Sequence, residues 1–120
     1  MEILTETVSC VTLVSLEREQ SASENHFEAD MLKILEDGNT KLLIDFSKLD
    51  YIRSAELRTL LSIAKKVQVL QGIIAIAGMN KMVREIFEIS GFIRLFKIYA
   101  DRDAALKDIA EVPEHGTENP

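Results

Sequence analysis

The sequence predicts an α/β domain whose later strands run parallel, and three observations carry that prediction. Two short, nearly continuous apolar runs, Lys41-Leu42-Leu43-Ile44-Asp45-Phe46 and Ile73-Ile74-Ala75-Ile76-Ala77, have the length and hydrophobicity of strands buried on both faces. Each is followed by a segment with apolar residues at helical spacing. Strands that alternate with helices in this order are joined by right-handed crossovers, which leave successive strands parallel. A chain of 120 residues with 47% hydrophobic side chains can fill a single core, so residues 1–112 are expected to form one domain.

Val8 to Leu16 is rich in β-branched residues and predicts a first long strand, ended by Glu17-Arg18-Glu19-Gln20. Ser21 or Ser23 can cap a following helix in which Phe27, Met31, Ile34 and Leu35 share a stripe, with Gly38 and Asn39 at its exit. Lys41 to Phe46 is the expected central strand. After a linker, Leu57, Leu60, Leu61, Ala64 and Val67 recur at helical spacing, opposite Arg58, Lys65 and Lys66, and predict a helix beginning near Ser54.

Gly72 closes that region, and Ile73 to Ala77 forms the next buried strand. Gly78 turns the chain into a helix over Met79 to Ser90, aligned on Val83, Ile86 and Phe87 and stopped at Ser90-Gly91. Leu95 to Tyr99 reads as a last short strand, and Asp101 caps a final helix carrying Ala105, Leu106 and Ile109. Pro113 to Pro120 has no apolar residue to offset the entropy of ordering and is expected to be a mobile tail.

A formal net charge of -6 argues against nucleic acid as a partner, because the surface would repel phosphates. The longest apolar stretches, such as Gly72 to Met79, are strand-sized, and Met1-Glu2 lacks a basic leader, so a cytoplasmic location without membrane insertion is expected. The single Cys10 reads as a small apolar residue within the first strand. His26 and His115 have no second ligand at metal spacing, and no metal or other cofactor is expected. Ser-His-Asp sets, glycine-rich phosphate loops and paired pocket carboxylates are missing, which disfavours an enzyme. Gly78-Met79-Asn80-Lys81 joins a strand to a helix, but one glycine there usually marks a turn.

The segment Asp45 to Leu57 resembles the signature of the STAS family, in which Asp-aliphatic-Ser leads through an aromatic-aliphatic pair to Asp-Ser-Ser/Ala-Gly-Leu at a helix start. Asp45-Phe46-Ser47, Tyr51-Ile52, Ser54-Ala55 and Leu57 carry the match. Gly72, Val83, Phe87, Ser90-Gly91-Phe92, Phe96 to Tyr99 and Ala105-Leu106 resemble the family's second half in order and spacing. The resemblance implies a mixed sheet backed by helices. It also implies an anti-sigma-factor antagonist that binds an anti-sigma factor or a serine kinase, with kinase and phosphatase setting a phosphoserine switch.

Three residues depart from the signature: Arg53 stands at the usual Asp, Ala55 at the commonest phosphoacceptor position, and Glu56 at the usual Gly. The early strand is followed by Glu17-Arg18-Glu19-Gln20 where relatives often carry glycine and aspartate. The expected partner-binding residues are Arg53, Ser54, Ala55, Glu56, Leu57 and Arg58. Ser54 is the fallback phosphoacceptor, although capping the helix is its favoured role. Arg53 could pair with Asp50 or Glu56 as an ordinary surface contact, and Glu56 is at best a partial phosphate mimic.

Asp45 and Ser47 are expected to organise the loop, a role favoured over acid–base chemistry for Asp45. Met79, Met82, Phe92 and Ile93 offer an apolar partner surface only if they are exposed together. The leading expectation is a non-enzymatic regulatory binding protein without the usual phosphorylation switch. The alternative is an accessory subunit of a transport complex or signalling assembly.

Overall fold

The computed structural model describes residues 1–18 and 26–110. Ten elements follow in order: β1 (Glu2–Val8), β2 (Val11–Glu17), α1 (Phe27–Glu36), β3 (Lys41–Asp45), α2 (Ser54–Val69), β4 (Ile73–Ala77), α3 (Lys81–Ser90), a 3-10 turn (Phe92–Leu95), β5 (Lys97–Tyr99) and α4 (Arg102–Ala110). The strands form one sheet in the order β1-β2-β3-β4-β5. β1 and β2 pair antiparallel, and every later pair is parallel. The parallel later strands are those the apolar pattern predicts, and the mixed sheet is the one the STAS resemblance implies.

Alternation along the strands divides the core. Val14, Leu16, Leu42, Ile44, Ile74 and Ile76 turn to one face and pack with buried residues of α1, α2 and α3. Val11, Leu13, Leu43, Ala75 and Ala77 turn to the other and pack with Ala105 and Ile109 of α4. Phe87 joins Phe46 and Phe96 in edge-to-face contacts with centroids 5.9 and 5.6 Å apart.

Several boundaries differ from the sequence reading. The single strand over Val8 to Leu16 is instead a hairpin whose two-residue turn, Ser9-Cys10, has φ of 50° and 70°. Positive φ at both turn residues is the type I′ geometry, whose usual Asn-Gly signal is absent here. Cys10 is therefore exposed on the turn, not buried in a strand. In α2 the buried apolar positions are Leu60, Ile63, Ala64 and Val67, while Leu57 and Leu61 lie half-exposed at the margin.

α3 begins at Lys81 because the Asn80 side chain caps it, accepting from the Val83 N–H at 2.8 Å. Leu95 falls in the 3-10 turn, which shortens β5 to three residues. Asp101 caps α4 as expected, accepting from the Ala104 N–H at 2.9 Å. Ser21, Ser23 and the stretch 113–120 lie outside the described residues.

Candidate functional site

β3 alternates its side chains between the two helical layers, so Asp45 shares the α4 face with Leu43. One carboxylate oxygen accepts the Ser47 N–H at 2.9 Å and closes a turn at the strand's end. The other accepts from Arg102 in the first turn of α4, also at 2.9 Å. Burial alone would raise the Asp45 pKa, but these donors and the Arg102 charge outweigh it, and the carboxyl sits below its ordinary value. Asp45 thus anchors the loop to both strand and helix, while Ser47 itself is exposed.

The loop is braced from a second side. Gly78, at φ +80°, would place a Cβ 3.2 Å from Ser47 Cβ, so the loops leaving β3 and β4 lie against each other. The Asn80 amide donates to the Asp50 carbonyl at 3.0 Å while its oxygen caps α3. Leu49 and Ile52 bury into the core, and Tyr51 stays exposed.

The start of α2 is organised by a charge pair. Glu56 is only 3% exposed. Its carboxylate accepts two bonds from the Arg18 guanidinium, at 2.5 and 2.7 Å, and the Arg53 backbone N–H at 2.9 Å. The last contact satisfies one of the amides left free where the helix begins. Arg18 also donates to the Tyr51 carbonyl at 2.7 Å and lies 4.2 Å from the centre of the Tyr51 ring. Burial works to raise the Glu56 pKa, but the Arg18 bond, the Arg53 N–H and both arginine charges bring it below its usual value.

The predicted partner-binding residues consequently divide. Arg53, Ser54, Ala55 and Arg58 are exposed, Leu57 packs partly against the core, and Glu56 points inward. Arg53 takes the N-cap position, leaving Ser54 as the first helical residue, so Ser54 does not cap α2 as expected. The Arg53 side chain reaches the Tyr51 hydroxyl at 3.3 Å, and its guanidinium pairs with neither Asp50 nor Glu56 among the described contacts. Glu56 offers no surface carboxylate in place of a phosphate, because burial and Arg18 consume its charge. A groove of about 410 Å³ runs beside Ala55 and Arg58, bounded by Glu28 and Thr59.

Sequence alone gives Arg18, Asn80 and Arg102 no role here. One signal existed for Arg18: Glu56, a departure from the STAS signature, and Arg18, in the segment that departs from relatives after the early strand, carry opposite charges and meet across the fold. Met82 is exposed and Met79, Phe92 and Ile93 are half-buried, so these four do not present one exposed cluster. Among the described residues no group of His, Cys, Asp and Glu could hold a metal ion, and no helix is long and apolar enough to cross a membrane.

Fold and loop together define a STAS-type domain. The family model for the STAS domain matches residues 6–105, and the chain belongs to that family. It is 38% identical over 85 residues to BtrV of Bordetella bronchiseptica, a candidate anti-sigma factor antagonist, covering 71% of this chain and 73% of that protein. Among solved structures it resembles an anti-sigma factor antagonist from Mycobacterium paratuberculosis, with TM-score 0.78, 22% identity and coverage of 92% and 94% of the two chains. A STAS domain protein from Planctomyces limnophilus superposes with TM-score 0.79 at 17% identity, over 91% of this chain and 98% of the other.

Proposed function

We propose that the protein is a non-enzymatic regulatory module of the anti-sigma-factor antagonist type. It binds an anti-sigma factor or a serine kinase through the β3–α2 loop and the first turn of α2, and it acts in the cytoplasm where sigma factors work. The observation that carries this reading is the start of α2, exposed at Arg53, Ser54, Ala55 and Arg58 yet held from beneath by the Arg18–Glu56 pair. A preformed surface loses little entropy on binding, which suits a docking site. The identity to BtrV supports the same class of role.

The docking is independent of phosphorylation. Ala55 lacks a hydroxyl, and Glu56 faces inward, so neither supplies a phosphate or a substitute for one. Affinity capture from the native cell, read by mass spectrometry, tests both statements. Recovery of an anti-sigma factor or serine kinase with unmodified Ser54 is expected. Recovery of a permease and its ATPase would establish the transport alternative, and a phosphate on Ser54 that controls binding would overturn the unswitched form.

A further inference from the structure

We infer that the outer face of α2 beyond its first turn is a cationic and apolar groove that takes an acidic amphipathic segment of the protein partner. This inference rests on the proposed docking role of the helix start and extends it along the helix. The chain carries a formal net charge of -6, yet α2 shows the opposite sign to solvent. Its one acidic residue, Glu56, is buried and bonded to Arg18, whereas Arg58, Lys65 and Lys66 are exposed. None of the ion pairs among the described residues engages those three cations.

The cations frame a depression of about 440 Å³ lined by Arg58, Leu61, Ser62, Lys65, Lys66 and Val69. Val69, at 82% exposed, and half-exposed Leu61 supply apolar surface between the charges. Positions 58, 61, 65 and 69 lie on one side of the helix, with Arg58 and Lys65 about 10 Å apart along the axis. A partner helix with carboxylates two turns apart and apolar residues between them matches this spacing. Desolvating Leu61 and Val69 contributes affinity, and the charges select orientation and raise the rate of encounter. Nucleic acid fits less well, because the acidic remainder of the chain repels a long polyanion.

The test titrates the isotope-labelled full chain with three probes at one ionic strength. They are a designed helical peptide with glutamates at seven-residue spacing and leucines between, a DNA duplex, and phosphatidylglycerol vesicles. The peptide is expected to shift the amide signals of Arg58, Leu61, Ser62, Lys65 and Val69. Arg58→Glu with Lys65→Glu should weaken it at least about tenfold, while Lys107→Glu on the opposite face of the sheet leaves it unchanged.

Saturable peptide binding elsewhere, no binding, or tighter binding of duplex or vesicles at this face overturns the inference. The two levels separate in the capture experiment. Partner recovery that survives Lys65→Glu with Lys66→Glu but fails with Ala55→Arg contradicts this inference alone. Recovery that survives both contradicts the proposed docking site as well.

Discussion

The Arg18–Glu56 pair lets a surface feature be tested through stability. Glu56→Ala removes two charge-assisted bonds and the acceptor for the Arg53 N–H, and leaves the part-buried Arg18 without its counter-charge. The side chains are 19% and 4% exposed for Arg18 and Glu56, so solvent does little to screen the loss. A cost of about 3 kcal/mol is expected, which for a domain of this size lowers Tm by about 10 °C. Glu56→Gln keeps an acceptor for the helix start and should cost about half as much.

Arg18→Ala should cost about 2 kcal/mol, because it leaves a carboxylate buried. Removing both partners should cost less than the sum of the single losses by about 1–2 kcal/mol, the signature of a direct interaction. Urea and thermal unfolding at neutral pH measure all four variants. Strictly additive losses, or a Glu56→Ala cost under about 1 kcal/mol, would refute the idea that this pair secures the docking surface.

Other outcomes follow from the same structure. The folded pKa values of Glu56 and Asp45 lie below their ordinary values, so their contribution is present above the ordinary carboxylate range and is lost as pH falls through the lowered values; Glu56→Gln with Asp45→Asn should flatten the acid limb of a stability–pH curve. Tyr99 donates to Asp108 and its pKa is pushed up to about 12, first by burial and then by that carboxylate, so stability should fall more steeply between pH 10 and 12 in wild type than in Tyr99→Phe. Gly72→Ala would bring a Cβ within 2.2 Å of the Thr40 carbonyl and should cost at least about 2 kcal/mol by urea unfolding. Cys10→Gly relieves a side chain held at φ 70° and should raise stability by about 1 kcal/mol, while the wild-type thiol should react with a maleimide in the folded protein without unfolding it.

Most of the architecture is legible in the sequence because its signals are local and redundant. Unbroken apolar runs mark β3 and β4, and Gly38 and Gly91 sit at positive φ where α1 and α3 end. The hairpin hides because Ser9 and Cys10 adopt positive φ without glycine or asparagine, and their β-branched neighbours read as one continuous strand. The loop signature locates the candidate site from Asp45 to Arg58, but not which side chains face solvent. Helical spacing places Glu56 on the same side as Leu60, Ile63 and Val67, and a carboxylate there is tolerated only because Arg18, remote in sequence, meets it. Long-range charge pairing leaves no local periodicity, so Arg18 and Arg102 emerge only from the fold.

The central claim, docking of a protein partner on the exposed start of α2, is tested most directly by calorimetric titration. The captured partner would be titrated against wild type and against Ala55→Arg, with circular dichroism verifying that the variant is folded. A large exposed cation at Ala55 should weaken binding at least about a hundredfold while leaving Tm within a few degrees. Unchanged affinity in a folded Ala55→Arg variant would contradict the account.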